Sequence, residues 1–525
     1  MGRYLLGRIL RGVLSVIAVV GIVMVLVYSC LDRELVFASD PVYSKQSGNS
    51  REVYKMQQWE KYGYVDYVPY TAYLQQLLRD GGLTAQQYAQ AAAFGNTPAQ
   101  DNAQAARYIA AFSKTYEENG YHVVRLNGQM KGNTEKYREG GEPRVFAYRD
   151  IPVRTRLVRY IGGLITVDSI HYVQEQIEDR GLHFTLYDPA YGGKRFSPAI
   201  MGNGTRFKYL LYFDDRFPYV HQNLIRLNLG VSYSVDTGAE VLQTLTASQG
   251  SFAYSTVTYP SGITQLSADD LHSARYVAGS LENGTASVGR YFVDDYTSVQ
   301  TRKSGMSKLG YSFVIGLISA AAAYLLAVPM ALWMARRKDH LPNKLGSLYI
   351  VFIMAVPSLA YIFLFKAVGG RLGLPTTFDM EDPTWLMYVL PILSLALPAA
   401  ANVMKWLRRY LIDQMSADYV KFARAGGLSE REIFEEHILK NAAVPLVHGI
   451  PAAILFALTG AIITERVYVV PGVGNVLTRA INAYDNGVIV GMVLFYAVLS
   501  VTSVLLGDLF MAVFDPRIKL TQDRR

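Results

Sequence analysis

The sequence predicts an α-helical polytopic membrane protein with six transmembrane helices and a large extracellular mixed α/β domain inserted between helices 1 and 2. Three observations lead to this prediction. Hydrophobic residues make up 51% of the 525 residues, and they concentrate in long runs towards the two ends of the chain. Basic residues flank those runs, as they do in membrane proteins. A polar stretch, residues 31–303, separates the first run from the others.

Residues 1–30 are interpreted as an N-terminal cytosolic stub and transmembrane helix 1. Three arginines occur among the first eleven residues, and residues 12–31 then carry no charge. About 20 apolar residues suffice to cross a bilayer. A cleaved signal peptide has the same order of charge and apolarity, but Tyr28 before Ser29 is a poor cleavage site. Cys30 is the only cysteine, so the chain cannot form an internal disulfide.

Residues 31–303 are predicted to form the extracellular domain. Ala- and Gln-rich sequence between Arg51 and Asn119 has helical spacing and predicts several short helices. From Tyr121 onwards alternating apolar residues predict strands, including VRTRLVRYI at 153–161 and LITVDSI at 164–170. The many tyrosines of this region are more typical of packing in half-buried strands than of a ligand site.

Residues 304–525 are predicted to contain the other five spans and a cytosolic loop at 404–445. The predicted spans are about 309–334, 345–368, 385–403, 446–463 and 488–513. With the N-terminus inside, every strongly basic flank falls in the cytosol, so the positive-inside rule is satisfied by six spans with both termini cytosolic. The chain is therefore predicted to lie in the cytoplasmic membrane as a multi-pass protein, with the lipid bilayer around it.

Prolines and two acidic residues mark these spans. A proline in a span frees a backbone carbonyl, which neighbouring helices or water in a cavity must then satisfy. Such helices suit a bundle that alternates between two conformations around a water-filled pathway, although prolines are common in membrane helices generally. Glu465 and Asp508 lie near predicted span ends, so interfacial positions are expected for them rather than a proton relay. The prolines are Pro329, Pro357, Pro391, Pro398 and Pro451.

The net charge of +8 is a membrane signal and does not indicate nucleic-acid binding. Residues 31–303 contain 28 basic and 28 acidic residues, so the whole surplus comes from the rest of the chain, where basic residues lie beside apolar runs. The eight histidines are scattered without metal-ligand spacing, and no catalytic constellation stands out. The sequence predicts no catalytic residues, no metal site and no cofactor.

The segment Asp418–Val447, here called the elbow, is strongly polar and lies between two apolar runs. Its sequence predicts two short helices separated by Gly426-Gly427. Ser429 with Glu432 three residues later forms a capping box for the second helix. Apolar residues then recur at helical spacing, and Pro445 is expected to end this helix. Two helices joined at a glycine pair form a good surface for docking another protein, although an ordinary amphipathic loop helix has the same pattern.

The elbow resembles the coupling loop of ABC import permeases, and more narrowly that of the dipeptide/oligopeptide permease family. The resemblance rests on DYV at 418–420, ARAGGLS at 423–429 and the series His437, Asn441 and Pro445. Further agreement comes from the opening YLLGRILRGVLSVI, Asn228–Ser232, Pro357-Ser358, LPILSLALP at 390–398, GAIITERVYVVPGVG at 460–474 and Asp515-Pro516-Arg517. Two features depart from the family pattern. The segment between the first two spans is enlarged, as in some Gram-positive oligopeptide permeases, and Gly426 stands where the family usually has lysine.

The resemblance implies the type I ABC importer permease fold and a role as the permease subunit of an importer for oligopeptides or dipeptides. The implied partners are two cytosolic ABC ATPase subunits, a second homologous permease, an extracellular substrate-binding (lipo)protein and a peptide substrate. The chain is not expected to be an enzyme, because it lacks a GxxxxGK[ST] loop for nucleotide phosphates. The resemblance names no substrate-binding residue. It assigns ATPase coupling to Tyr419, Ala423, Arg424, Ala425, Gly426, Gly427, Leu428, Ser429, Glu430, Glu432 and Pro445.

Two other classes of protein compete with this interpretation. A membrane-anchored extracellular receptor or enzyme would use residues 31–303 as its working part, but it would leave the polar elbow unexplained. An ion channel or secondary transporter would be expected to carry charges at membrane depth or a filter sequence, and neither stands out. Co-purified ATPase subunits would distinguish a permease from both alternatives.

Overall fold

The computed structural model describes residues 2–514 with gaps. The gaps are 39, 97–102, 127–144, 174–179, 188–195, 214–219, 339, 381–383, 460 and the segments between short strands from 248 to 305. The closing motif Asp515-Pro516-Arg517 lies outside the described residues.

The described helices alternate between long rods and short connectors. In chain order they are α1 (Gly2–Cys30), α2 (Pro41–Lys45), α3 (Gly48–Lys61), α4 (Tyr70–Arg79), α5 (Ala85–Asn96), α6 (Ala103–Glu118), α7 (Val153–Gly163), α8 (Val241–Thr246), α9 (Lys308–Arg336), α10 (Leu341–Ala355), α11 (Ser358–Arg371), α12 (Val389–Met415), α13 (Asp418–Ala425), α14 (Glu430–Glu432), α15 (Lys440–Phe456), α16 (Ile462–Tyr468), α17 (Gly474–Asn482) and α18 (Asn486–Phe514). Short 3₁₀ segments lie at Arg33–Phe37, Trp385–Tyr388 and Ala457–Thr459, and a π-helical segment lies at Ile433–Leu439.

Helices long and apolar enough to cross a membrane recur along the described chain. They are Leu6–Cys30, Lys308–Arg336, Trp385–Met415, Glu430–Thr459 and Asn486–Val513. The predicted spans 309–334 and 488–513 agree with α9 and α18 to within a few residues. The helix that contains the predicted span 385–403 continues to Met415, with Leu407 and Leu411 buried against α9.

Helices α9 and α12 run parallel and define the two ends of the bundle. At one end the rings of Tyr311 and Tyr388 stack with centroids 6.4 Å apart. At the other end Ala331 and Leu407 share a buried cluster that includes elbow residues. The second end is called the elbow end below, and the first is called the opposite end.

The predicted span 345–368 is bent and is not a straight helix. Helices α10 and α11 meet at Pro357 with an angle of 110° between them. Proline removes a backbone donor and pushes the preceding residue into extended conformation, as observed for Val356 with φ −87° and ψ 130°. Gly346 of α10 lies against Met334 at the elbow end, whereas Gly369 of α11 lies against Leu390 at the opposite end. The bent pair therefore contacts both ends of the bundle, and the described chain holds five helices long and apolar enough to cross a membrane, or six if this pair counts as one broken span.

Residues 31–303, here called the inserted segment, combine helices with antiparallel strands. The strands are β1 (Val65–Pro69), β2 (His122–Arg125), β3 (Val145–Asp150), β4 (Ile165–Val167), β5 (Gly181–Thr185), β6 (Ala199–Asn203), β7 (Tyr209–Phe213), β8 (Val220–Gln222), β9 (Ile225–Leu227), β10 (Phe252–Ala253), β11 (Ser255–Thr258), β12 (Thr264–Ser267), β13 (Ala286–Val288), β14 (Phe292–Val293) and β15 (Arg302–Lys303). They pair in the orders β1-β3-β2, β5-β6-β7-β8, β4-β9, β10-β15, β11-β12 and β13-β14. The helices predicted between Arg51 and Asn119 are confirmed as α3 to α6, and α4 to α6 pack with β3 around buried Phe112.

The strand predicted at 153–161 is wrong, because these residues form helix α7. Leu157, Tyr160 and Leu164 recur at helical spacing and pack against α1 and α18. Gly21 of α1 leaves room for this contact, since a Cβ at that position would lie 3.4 Å from the Leu157 side chain. The pairing of α7 with α1 is a tertiary contact, which local alternation does not reveal.

A buried carboxylate ties the inserted segment to the start of α18. Asp485 is fully buried and accepts a hydrogen bond of 2.6 Å from the Ser232 hydroxyl. Its oxygens also accept from the backbone N–H groups of Tyr233, Ser234 and Val235 at 2.9 to 3.0 Å. A carboxylate that accepts several backbone donors holds them firmly. The Asn228–Ser232 motif noted in the sequence therefore has a structural role at this junction.

Candidate functional site: the elbow

The elbow begins with a helix that ends in a left-handed turn. Helix α13 ends at Ala425, and Gly426 continues with an ordinary φ of −75°. Gly427 has φ +85°, a region that L-residues with side chains rarely adopt. The N–H of Gly427 donates to the carbonyl of Arg424 at 3.1 Å. The glycine pair therefore reverses the chain, and only its second member requires glycine.

The capping box predicted at Ser429 is confirmed. The backbone N–H of Glu432 donates to Ser429 Oγ at 3.3 Å, and the N–H of Ser429 donates to Glu432 Oε2 at 2.8 Å. These reciprocal bonds satisfy donors that a helix start leaves free. They fix the direction in which the second helix leaves the turn.

Apolar residues hold the elbow against the helices above it. Val420, Ile433, Phe434 and Ile438 are buried in one cluster with α9 and α12, and Leu439 packs against its edge. The predicted apolar stripe is thus confirmed. The Arg336 guanidinium lies 4.0 Å from the centre of the Phe434 ring, a cation–π contact at the end of α9. The elbow is therefore packed directly onto the ends of α9 and α12.

The tip of the elbow is exposed and mixes apolar with charged side chains. Phe422 is 77% exposed and Leu428 is 40% exposed. Arg424 pairs with Glu430 across the turn through two hydrogen bonds of 2.6 and 3.1 Å. The hydrogen bond and then the charge of Glu430 raise the pKa of the Arg424 guanidinium. An exposed aromatic residue beside a charge pair is typical of a docking surface.

Phe422 is the functional candidate that the sequence analysis missed. Val420 and Phe422 are two residues apart on α13, so they cannot share a helix face. Because Val420 is buried, Phe422 must point away from the bundle. The two-residue spacing already showed that Val420 and Phe422 lie on different faces of α13. Which of these faces is buried depends on the packing of α13 against the bundle, which the sequence does not reveal.

The expectation that Pro445 ends the second helix is wrong. The helical path continues from Glu430 through the π-helical segment and Pro445 to Thr459, including Pro451. Prolines persist in membrane helices where neighbouring groups satisfy the freed carbonyls. Pro445 is consequently remote from the turn, whereas residues 423–432 gather around it. The second helix of the elbow and the following membrane helix therefore form one continuous helical rod from Glu430 to Thr459. This rod contains the π-helical segment Ile433–Leu439, and such segments are frequent at functional sites.

The interfacial position expected for Glu465 stays a prediction, and the side chain lies near the start of α9, at the opposite end of the bundle. Glu465 is 2% exposed and lies inside the bundle, where it accepts hydrogen bonds from Ser312 Oγ at 2.7 Å and from the Gly474 N–H at 2.8 Å. It therefore holds α16 and α17 against α9. Asp508 instead forms an ion pair of 3.0 Å with Arg8 near the elbow end of α1 and α18.

Comparison with known proteins identifies the family to which the chain belongs. Residues 327–520 match the family described as "Binding-protein-dependent transport system inner membrane component". The chain is 35% identical over 530 residues to the oligopeptide transport system permease protein AmiC of Streptococcus pneumoniae, an alignment that covers 99% of both chains. It is 29% identical to the dipeptide transport system permease protein DppB of Lactococcus lactis, over 45% of this chain and 77% of that one. With DppB of Bacillus subtilis the identity is 27%, over 40% and 68%.

The bundle of five to six apolar helices and these matches define a helical membrane permease of the ABC import class. Within that class, the chain belongs to the family of oligopeptide and dipeptide permeases. The AmiC alignment extends through the inserted segment, whereas the DppB alignments cover less than half of the chain. The enlarged segment is thus a feature that this chain shares with AmiC.

Proposed function

We propose that the chain is the permease subunit of an ABC importer that moves oligopeptides or dipeptides across the cytoplasmic membrane. Its relatives are described as oligopeptide and dipeptide transport permeases, which supports a peptide substrate. The chain itself is not an enzyme, and ATP hydrolysis takes place in separate subunits. Its partners are two cytosolic ABC ATPases, a second homologous permease and an extracellular substrate-binding lipoprotein.

The elbow end of the bundle faces the cytosol in this proposal. The first helix carries arginines at that end, and basic residues also surround the elbow. Both termini are then cytosolic. The chain divides into residues 1–30 with the first helix, the extracellular inserted segment 31–303 and a permease core from 304 to 525. The inserted segment contributes to docking of the substrate-binding lipoprotein.

The elbow couples ATP hydrolysis to transport. An ATPase subunit contacts the tip between Ala423 and Glu432, and closure of two ATPases moves this tip. The buried stripe behind the tip and the continuous rod to Thr459 pass the movement to α9, α12 and the crossing that the rod forms. A ligand shifts a conformational equilibrium only through different contact energies with the two states. The tip must therefore bind ATP-bound and ATP-free ATPase differently.

One observation carries this proposal: the elbow combines a buried apolar back with the exposed apolar side chain of Phe422. The test replaces Phe422 by alanine and measures how much ATPase subunit co-purifies with the chain. Truncating an exposed side chain leaves the buried stripe intact, so we expect normal membrane insertion and at least a tenfold weaker ATPase association. An anchor in a docked interface is typically worth that much.

Trp385→Ala is the matched control. Trp385 is 74% exposed and lies at the opposite end of the bundle, so its truncation should leave ATPase association unchanged. Equal association of both variants would contradict the coupling role of the tip. Loss of association in both variants would indicate a folding defect and would also count against the proposed surface.

A further inference from the structure

The inserted segment carries an apolar face that nothing in the described chain covers. Strands β4 and β9 form a two-stranded ribbon in which Ile165 pairs with Leu227 and Val167 pairs with Ile225. Alternate residues of a strand and directly paired residues share one face. These four side chains therefore form a single patch, and they are 60%, 53%, 67% and 52% exposed.

The opposite face of the ribbon is polar. Thr166 pairs with Arg226 between the two apolar pairs. The guanidinium of Arg226 forms an ion pair of 3.2 Å with Glu240 and lies 5.0 Å from the centre of the Phe207 ring. The ribbon is thus amphipathic, with one face tied to the inserted segment and the other unpartnered.

The base of the ribbon lies beside the membrane helices. Leu164 and Leu229 flank β4 and β9, and both pack in a cluster with Val20 and Met24 of α1 and Val490 and Leu494 of α18. A backbone hydrogen bond of 2.9 Å from the Asn228 N–H to the Leu164 carbonyl closes this base. The position of the ribbon along the membrane normal can therefore be estimated from α1.

The Arg8–Asp508 ion pair marks the elbow end of α1. At 1.5 Å per residue, Val20 and Met24 lie about 18 and 24 Å beyond Arg8 along the helix. The hydrocarbon core of a bilayer is about 30 Å thick. The base of the ribbon consequently lies about 6 to 12 Å inside the far boundary of the core. At the same height along α1, Ile22 and Leu26 are also exposed apolar side chains.

We propose that the β4–β9 ribbon lies in the outer leaflet of the bilayer, with Ile165, Val167, Ile225 and Leu227 inserted among the lipid acyl chains. The apolar face reaches about 5 to 10 Å below the boundary between headgroups and acyl chains, as that of an interfacial amphipathic helix does. Its polar face stays against the inserted segment through the Arg226–Glu240 ion pair, and its backbone edges lie towards the headgroups, because unpaired backbone groups are not tolerated in the hydrocarbon core. The inserted segment is then held to the membrane at a second place besides α1. This inference rests on the proposed topology, in which the inserted segment is extracellular.

Spin labels on single cysteines in the full chain, reconstituted into phospholipid bilayers, test the proposal. Cys30→Ser supplies a cysteine-free background. Accessibility to oxygen, which concentrates in acyl chains, is compared with accessibility to a water-soluble nickel chelate. We expect a label at Val167→Cys to resemble one at the lipid-facing control Ile22→Cys. We expect a label at Thr166→Cys, on the other face of the same strand, to be reached far more by nickel and to resemble Asp80→Cys in the turn after α4.

Two results at Val167→Cys would overturn the inference. A label as nickel-accessible as the one at Asp80→Cys would place the ribbon in water. A label that neither reagent reaches in the assembled transporter would mean that protein, such as the second permease, covers this face. The topology is checked separately by labelling Asp80→Cys on intact cells with a membrane-impermeant maleimide. If that site does not react, the proposed topology fails, whereas an aqueous ribbon with a reactive Asp80→Cys overturns only the lipid contact.

Discussion

Replacing Gly427 by alanine should disrupt coupling, whereas the same change at Gly426 should not. A Cβ at Gly427 would meet no atom within 4 Å, so crowding plays no part, but φ there is +85°. Holding an L-residue in the left-handed region costs about 1 to 2 kcal/mol. At Gly426 the φ is −75° and a Cβ would make ordinary 3.4 Å contacts. Alanine there gains up to about 1 kcal/mol by restricting the unfolded chain.

The two variants therefore differ by about 2 kcal/mol in the stability of the turn, which is roughly 30-fold in an equilibrium constant. If the ATPase binds only the turned elbow, its apparent affinity falls by up to this factor for Gly427→Ala relative to Gly426→Ala. Titration of purified ATPase against each permease variant in lipid nanodiscs measures this ratio. Gly427→Asn should be intermediate, because asparagine tolerates the left-handed region. Equal affinities for the two alanine variants would refute the reasoning.

Two further changes test contacts at opposite ends of the bundle. Glu432→Ala should destabilise the start of the second elbow helix by about 1 kcal/mol, because it removes half of the capping box. Hydrogen exchange of the elbow amides measures this loss of stability. The control Glu435→Ala loses only an exposed ion pair and should change the exchange much less. Gly487→Ala should lower the thermal unfolding temperature by several degrees, because its Cβ would clash with the carbonyl of Val231. Gly162→Ala on α7 has open space around its Cβ and should leave this temperature unchanged or slightly higher. No difference within either pair of variants would contradict the described contact.

Local signals allowed much of the elbow to be predicted from the sequence. A capping box needs only Ser429 and Glu432 three residues apart, and a glycine pair between helices indicates a turn. Apolar spacing likewise identified the buried stripe. These predictions succeeded because each depends on residues only a few positions apart, and the local backbone fixes the geometry between such residues.

Features set by distant contacts were predicted less well. Proline lowers helix propensity, but the chain bends at Pro357 and stays helical through Pro445, since surrounding groups decide how a freed carbonyl is satisfied. Residues 153–161 alternate locally yet form a helix, because Leu157 packs onto α1. The burial of Glu465 similarly depends on Ser312, 153 residues earlier in the chain.

Thiol labelling tests the central proposal most directly. It shows on which side of the membrane the elbow lies and whether ATPase subunits cover it there. Ala425→Cys in the Cys30→Ser background places a single exposed thiol at the tip of the elbow. We expect a membrane-impermeant maleimide to label it in inverted vesicles and not in intact cells, and we expect bound ATPase subunits to protect it. Labelling from outside intact cells, or labelling that ATPase subunits do not reduce, would contradict the proposal that the elbow takes up force from a cytosolic ATPase.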